Sequence, residues 1–146
     1  MNVITLTEPW ASLVVGGEKR WETRSWSTKY RGLIAIHAAK GFPRWARDLC
    51  LQEPFRSALG RMGYGGLALA DPAKAFPLGH IIGSAVIEDV LKTEAALTRY
   101  VIEGTNEEQF GDYSFGRFAW KFGPIVDRLA DPIPAKGALG IWRFDG

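Results

Sequence analysis

The amino-acid sequence predicts an α+β domain built on a small mixed or closed sheet. Three observations carry that reading. Strand-like apolar segments stand at both ends of the chain and in its middle, helix signals fill the connections, and no regular strand–helix alternation of a parallel sheet runs through. At 146 residues and 47% hydrophobic content the chain can bury one core but not two, so a single domain over 1–146 is expected.

Asn2 to Thr5 is short and β-branched, a first strand. Thr7 or Glu8 can cap a helix entered through Pro9, where Trp10, Leu13 and Val14 share one apolar face and Gly16-Gly17 ends the run. So short a helix depends on tertiary packing. Lys19 to Trp26 reads as extended, with Trp21 and Thr23 on one side and Arg20, Glu22 and Arg24 on the other. Tyr30-Arg31-Gly32 turns into a buried strand, Leu33 to Ala39. Pro43 opens a helix from Arg44 to Leu59, bent or interrupted at Pro54. Five glycines with Pro72 and Pro77 make Gly60 to Gly79 a long loop. His80 to Val90 is the longest strand signal, and Thr93 caps a helix over Glu94 to Val101. A turn-rich loop, Gln109 to Ser114, precedes a strand from Arg117 to Phe122. Pro132 to Lys136 then leads into a last strand, Leu139 to Phe144.

Composition removes several function classes. No run of 18 apolar residues exists, so no membrane partner is expected, and the N-terminus lacks the basic segment of a secretory leader. A single cysteine, Cys50, allows no internal disulfide and no Cys-based zinc cluster, and fits a reducing cytoplasm. His37 and His80 are 43 positions apart, so neither a metal nor another cofactor is expected. Net charge is only +2, yet residues 1–50 hold eight Lys/Arg against four Asp/Glu, in the same stretch as Trp10, Trp21, Trp26 and Trp45. A basic, aromatic surface suits a phosphate and a stacked base; the same pattern also describes a solvated positive face.

The most unusual segment is Gly17 to Trp26. If extended, it places Glu22 and Arg24 on one face, with Lys19 projecting toward them from the helix exit. A desolvated lysine beside a carboxylate tunes a proton transfer or grips an anion, while the bland alternative is an ion-paired sheet edge. His37 reads as a satisfied core histidine, Cys50 as packing, and Trp142 as core closing on the first strand. Trp21 is open between core and cleft.

Thr7-Glu8-Pro9-Trp10-Ala11-Ser12-Leu13-Val14 followed by Gly17-x-Lys19-Arg20-x-Glu22-Thr23-Arg24-Ser25-Trp26 resembles the ASCH domain. The likeness continues through Tyr30-Arg31-Gly32, Ala35 to Lys40, Phe110 to Ser114, Arg117-x-Ala119-Trp120 and Pro134-x-Lys136-Gly137, and so spans nearly the whole chain. The resemblance implies a small PUA-like β-barrel with helices packed around it, and a cleft beside the Gly-x-Lys segment. Carried over by position, Lys19, Glu22 and Thr23 are the candidate catalytic residues, and Trp10, Ser12, Arg24, Tyr113, Arg117 and Trp120 the candidate ligand contacts. One departure stands in the first motif, where relatives commonly read Gln and this chain has Glu8. A carboxylate only accepts where an amide also donates, which matters if Glu8 faces the cleft and not if it caps the helix.

Three functions follow from that site. The first is a nucleic-acid or nucleotide-binding module, its partner RNA, another single strand or a nucleoside. The second is an amidohydrolase acting on N4-acetylcytidine-like nucleosides, as some small members of the resembled family are, with Lys19 activating a hydroxyl or Glu22 activating water. There the family's threonine falls on Glu22, Thr23 lies one residue later, and the distal carboxylate is Glu107 or Glu108. The third is a protein-interaction domain using exposed Leu67, Leu69 and Phe76 of the Gly60–Gly79 loop. The residues leave turnover against binding open.

Overall fold

Strands β1 (Asn2–Leu6) and β3 (Gly32–Ala38) pair in parallel at the apolar middle of the sheet, with Ile4 beside Ile36. In the computed structural model the backbone is described over residues 1–146 and the side chains of all but Leu67 and Ala68. The seven-stranded mixed sheet adds β2 (Trp21–Arg24), β4 (His80–Lys92), β5 (Phe118–Phe122), β6 (Asp127–Pro134) and β7 (Ile141–Arg143). Around it lie α1 (Trp10–Val15), α2 (Arg44–Leu49), α3 (Phe55–Arg61), α4 (Leu67–Ala70), α5 (Pro72–Ala75), α6 (Thr93–Arg99) and α7 (Asn106–Phe110).

The 13-residue β4 organises the sheet. One edge pairs β3 from His80 to Ile87, and the other pairs β6 along its first half and β5 along its second. At Gly83 an added Cβ would stand 2.0 Å from the Asp127 carbonyl oxygen, so only a residue without a side chain admits β6 there.

The strand path β2-β5-β4-β3-β1-β7 does not close on itself. The α+β class is as expected, but in place of the expected barrel stands an open mixed sheet. Its two end strands are four and three residues long. Across the gap from β2, Arg24 reaches the Thr5 carbonyl of β1 by its side chain, at 2.9 Å, where a barrel would pair backbone with backbone.

One core cluster joins α1 to the sheet through Ile4, Leu6, Val14, Val15, Ile34, Ile36 and Trp120. A second packs the helical cap on the far side of α1, with Leu13, Cys50, Phe55, Leu59, Leu69, Phe76 and Phe110. The expected long loop therefore carries α4 and α5. Leu69 and Phe76, expected as an exposed contact surface, are instead buried in this second cluster, Phe76 against the rings of Phe42 and Tyr64, because so much apolar area gains more from burial than from solvent. The side chain of Leu67 lies outside the described residues. Trp21 falls in the core, 5.0 Å from the Tyr100 ring.

His37 is held on both ring nitrogens, Nε2 at 2.7 Å from the Ala135 carbonyl and Nδ1 at 3.2 Å from Thr5 Oγ1. The carbonyl only accepts, so Nε2 carries the proton and Nδ1 takes one from the Thr5 hydroxyl. That hydroxyl in turn accepts the Trp142 indole N–H at 3.0 Å. Thr5→Val leaves the buried His37 Nδ1 and the half-buried Trp142 indole N–H without partners and is expected to cost about 2 kcal/mol in denaturant unfolding. A loss below about 0.5 kcal/mol would show that the relay is not held in solution.

Candidate functional site

The site begins at the Glu8–Ser12 turn. Glu8 is fully buried, and its carboxylate accepts the Ser12 N–H at 2.8 Å and the Ser12 hydroxyl at 2.6 Å. It thereby satisfies an orphan N–H in the first turn of α1, which has no side-chain cap at Pro9. Burial pushes the Glu8 carboxyl up to about 7, against the opposing pull of the two Ser12 hydrogen bonds and of Arg128. Glu8 serves the helix and does not line the cleft.

Fixed in this way, α1 delivers Trp10 to a cleft of about 640 Å³. The Trp10 indole N–H donates to the Phe110 carbonyl at 2.6 Å, which leaves its ring to packing. It meets Phe55 edge-on at 5.9 Å and Trp45 of α2 at 5.7 Å. Trp45 is 61% exposed, an amphipathic ring left largely uncovered.

Strand β2 supplies the polar wall. Gly17, at φ +75°, turns the chain out of α1 so that Lys19 runs beneath β2. Lys19 is only 1% exposed; its ammonium donates to the Trp21 carbonyl and to Glu22 Oε1, at 3.3 Å for the latter. Arg24 Nε donates to the second Glu22 oxygen at 3.0 Å. The Glu22 carboxylate thus lies between a buried ammonium and a part-exposed guanidinium. Glu22, Thr23 and Arg24 all line the cleft.

The loop after α7 closes the wall. Thr23 Oγ1 accepts the Asp112 N–H at 3.0 Å, and Arg117 donates to the Thr23 carbonyl at 3.3 Å and the Asp112 carbonyl at 3.1 Å. The Ser114 hydroxyl and N–H hold the Asp112 carboxyl below its ordinary range, with Arg117 adding to the effect. Behind β2, Glu107 accepts the Arg20 N–H, and burial pushes its carboxyl up. Arg20 Nε, Glu107 Oε2 and the Tyr113 hydroxyl are buried without hydrogen-bond partners.

The expected site residues fall into two layers. Trp10, Glu22, Thr23, Arg24 and Arg117 line the cleft. Lys19, Ser12, Tyr113 and Trp120 lie beneath it. Trp120 is fully buried and meets Trp26 edge-on at 4.8 Å, so it acts on the cleft through Trp26. Tyr113 packs against Trp21 and Ala119, and burial pushes its phenol well above the ordinary range. The alternation expected for β2 placed Thr23 away from Glu22. The loop folding over β2 brings both to the cleft. Sequence reasoning did not assign Thr5, Thr7, Trp45, Phe55, Gln109 and Asp112 to the cleft. Of these Trp45 gave a signal as an aromatic in the basic third of the chain, and Thr7 and Asp112 lay within stretches that carry the family likeness. Among the described residues no three His, Cys, Asp or Glu side chains are grouped to hold a metal ion, and no helix is long and apolar enough to cross a membrane.

An open mixed sheet with helices on it and a polar-aromatic cleft beside its first edge strand defines the class. The ASCH domain model matches residues 4–123, and the chain belongs to the ASCH domain family. It is similar to activating signal cointegrator 1 of Homo sapiens, 28% identical over 148 residues, and to that of Mus musculus, 28% identical over 142 residues. Each match takes in 97% of this chain and 22% of the relative, so the chain spans about a fifth of the length of the curated relatives it matches. Its fold is similar to the crystal structure of ASCH from Zymomonas mobilis, with a TM-score of 0.51, 20% identity, and coverage of 91% of this chain and 72% of that one. A mutant of the same protein gives a TM-score of 0.52 at 20% identity, covering 91% and 74%.

Proposed function

We propose that the cleft binds a nucleobase-bearing ligand, a nucleotide or a segment of single-stranded nucleic acid such as RNA. One observation carries this reading. A single cleft combines the exposed ring of Trp45 with two part-exposed guanidiniums, Arg24 and Arg117. An aromatic face stacks any base at about 1–3 kcal/mol, and a guanidinium grips phosphate oxygens as a fork.

Titration with cytidine monophosphate, followed by tryptophan fluorescence, tests it. Trp45→Ala is expected to weaken binding by about tenfold with little change in folding stability, since the ring is already mostly in water. Arg24→Ala should lower affinity for the nucleotide more than for cytidine, and flatten the salt dependence. Equal binding by wild type and both variants would sink the proposal.

A second reading is favoured by the contact of Lys19 with Glu22 and by Thr23 in the same wall. In it, Glu22 takes a proton from water, the resulting nucleophile adds to an exocyclic amide carbonyl, and the amine leaves with a proton, as in hydrolysis of N4-acetylcytidine to acetate and cytidine. Lys19 then serves as electrostatic partner. Alternatively the Thr23 hydroxyl, whose oxygen already accepts the Asp112 N–H, adds to the carbonyl, its proton goes to the departing cytidine amine, and water then hydrolyses the Thr23 acetyl ester to acetate. Chromatographic release of cytidine that is lost in Glu22→Gln would support turnover, and loss in Thr23→Val as well would assign the nucleophile. No release by the wild type would remove this reading.

A further inference from the structure

Helix α2 has two open flanks. Ala46 and Cys50 point inward and are buried. At about 100° per residue, Trp45 and Leu49 then share one flank, while Arg44, Arg47 and Asp48 share the other. The first flank is a wall of the cleft. The second borders a separate groove of about 390 Å³, floored by Leu51, Leu69, Ala70 and Pro72. Arg44 and Arg47 are both exposed. Among the described residues neither guanidinium enters an ion pair, in contrast to Arg24, Arg31, Arg61 and Arg117, which all have carboxylate partners. The groove thus holds two free cations against one carboxylate, Asp48, on the side of the helix opposite the uncovered tryptophan.

We propose that this groove carries backbone phosphates of the nucleic acid strand whose base occupies the cleft, with Arg44 and Arg47 as the phosphate contacts. The inference rests on the base-binding reading of the cleft and narrows its ligand from a free nucleoside to a residue within a single strand. A helix with its side chains is about 10 Å across, a span that a strand extended by two nucleotides covers. Trp45, on the cleft flank, is placed to stack a base while the flanking backbone passes over the helix, across Asp48 at its crest, to the arginines. Among the described residues the groove has no aromatic lining and a floor of small and apolar residues. It therefore suits the sugar-phosphate chain and not a second base, with guanidinium forks supplying charge-assisted hydrogen bonds.

The test compares cytidine monophosphate with a mixed-sequence hexaribonucleotide, both titrated across salt against the wild type, Arg44→Ala/Arg47→Ala and Arg44→Lys/Arg47→Lys. The expected result is hexanucleotide binding tighter than mononucleotide binding, weakened about tenfold in the alanine pair. The slope of log affinity against log salt should fall in magnitude by about 1.4, or about 0.7 for each lost phosphate contact. Mononucleotide affinity should not change, and the lysine pair should keep most of the salt slope. Hexanucleotide binding no tighter than the mononucleotide, or unchanged in the alanine pair, overturns this inference and leaves the cleft reading standing. A parallel loss of mononucleotide affinity also overturns it, because the arginines would then act on the cleft itself. If the wild type binds neither probe, the cleft reading fails and takes this one with it.

Discussion

Lys19→Met is expected to destabilise the domain by about 3–5 kcal/mol, read as a lower denaturant midpoint at unchanged slope. The ammonium is buried to 1% exposure and is shared between the Trp21 carbonyl and the Glu22 carboxylate. Methionine fills similar volume but donates nothing. It would strand a buried carbonyl and leave Glu22, whose side chain is 12% exposed, with Arg24 as its remaining cation. Removing one partner of a buried pair costs more than the pair contributes, because the other charge stays desolvated. The Arg24 bond places the loss toward the lower end of the range. Lys19→Met/Glu22→Gln is expected to recover at least about 1 kcal/mol of it, since a neutral amide beside Arg24 carries no unpaired charge. Equal losses in the single and double variants would show that Lys19 acts through the Trp21 carbonyl and not through the charge of Glu22.

The second large effect is a dependence on pH. The Glu8 carboxyl ionises near 7 in the fold and near 4.5 when unfolded. Between those values the folded state holds the extra proton, so stability falls as pH rises through the window. Below about 4.5 both states are protonated and Glu8 exacts no penalty. Above about 7 the penalty is complete, about 3 kcal/mol, because each tenfold difference in proton affinity between the two states is about 1.4 kcal/mol. The groups facing it are Arg128, which favours the carboxylate, and Cys50, whose thiol burial pushes up to about 12 and so keeps neutral throughout. In Glu8→Gln the amide oxygen can still accept the Ser12 N–H, and the amide nitrogen can donate to the hydroxyl. The variant should match the wild type near and below pH 4.5, gain on it as pH rises toward 7, and hold that lead above pH 7. Parallel unfolding curves across that range would place the Glu8 ionisation outside it.

The parts of the fold legible in the sequence are those whose burial follows a simple period. β1, α1, β3 and β4 carry apolar faces at strand or helix spacing, and each lies within a few residues of its expected place. β6 was not legible because Asp127 to Pro134 holds two aspartates and two prolines. It pairs on one side only, with β4, and alternates weakly in burial. α7 is missed for a similar reason: four of its five residues are polar and only Phe110 is buried. In the site, the Lys19–Glu22–Arg24 grouping was legible because a polar run between two buried elements must either pair or face a cleft. Here it does both. Trp45 and Trp120 show the limit. Both are tryptophans on amphipathic elements, and nothing local separates the one that is 61% exposed from the one that is fully buried. That difference is set by Trp26 and the sheet over Trp120, and by the open cleft beside Trp45.

The anchoring of the Asp112–Arg117 loop on Thr23 has a mechanical meaning. Strand β2 is laddered to β5 along its length, and the loop is tied to β2 through both its hydroxyl and its carbonyl partners. The polar wall of the cleft therefore forms one stiff plate with Arg24 and Arg117 at fixed separation. The opposite jaw, the six-residue α2 with Trp45, is seated by side-chain packing and has no backbone ladder to the sheet. Compliance therefore resides in the aromatic jaw: displacing the tryptophan widens the cleft and leaves the spacing of the two guanidiniums unchanged.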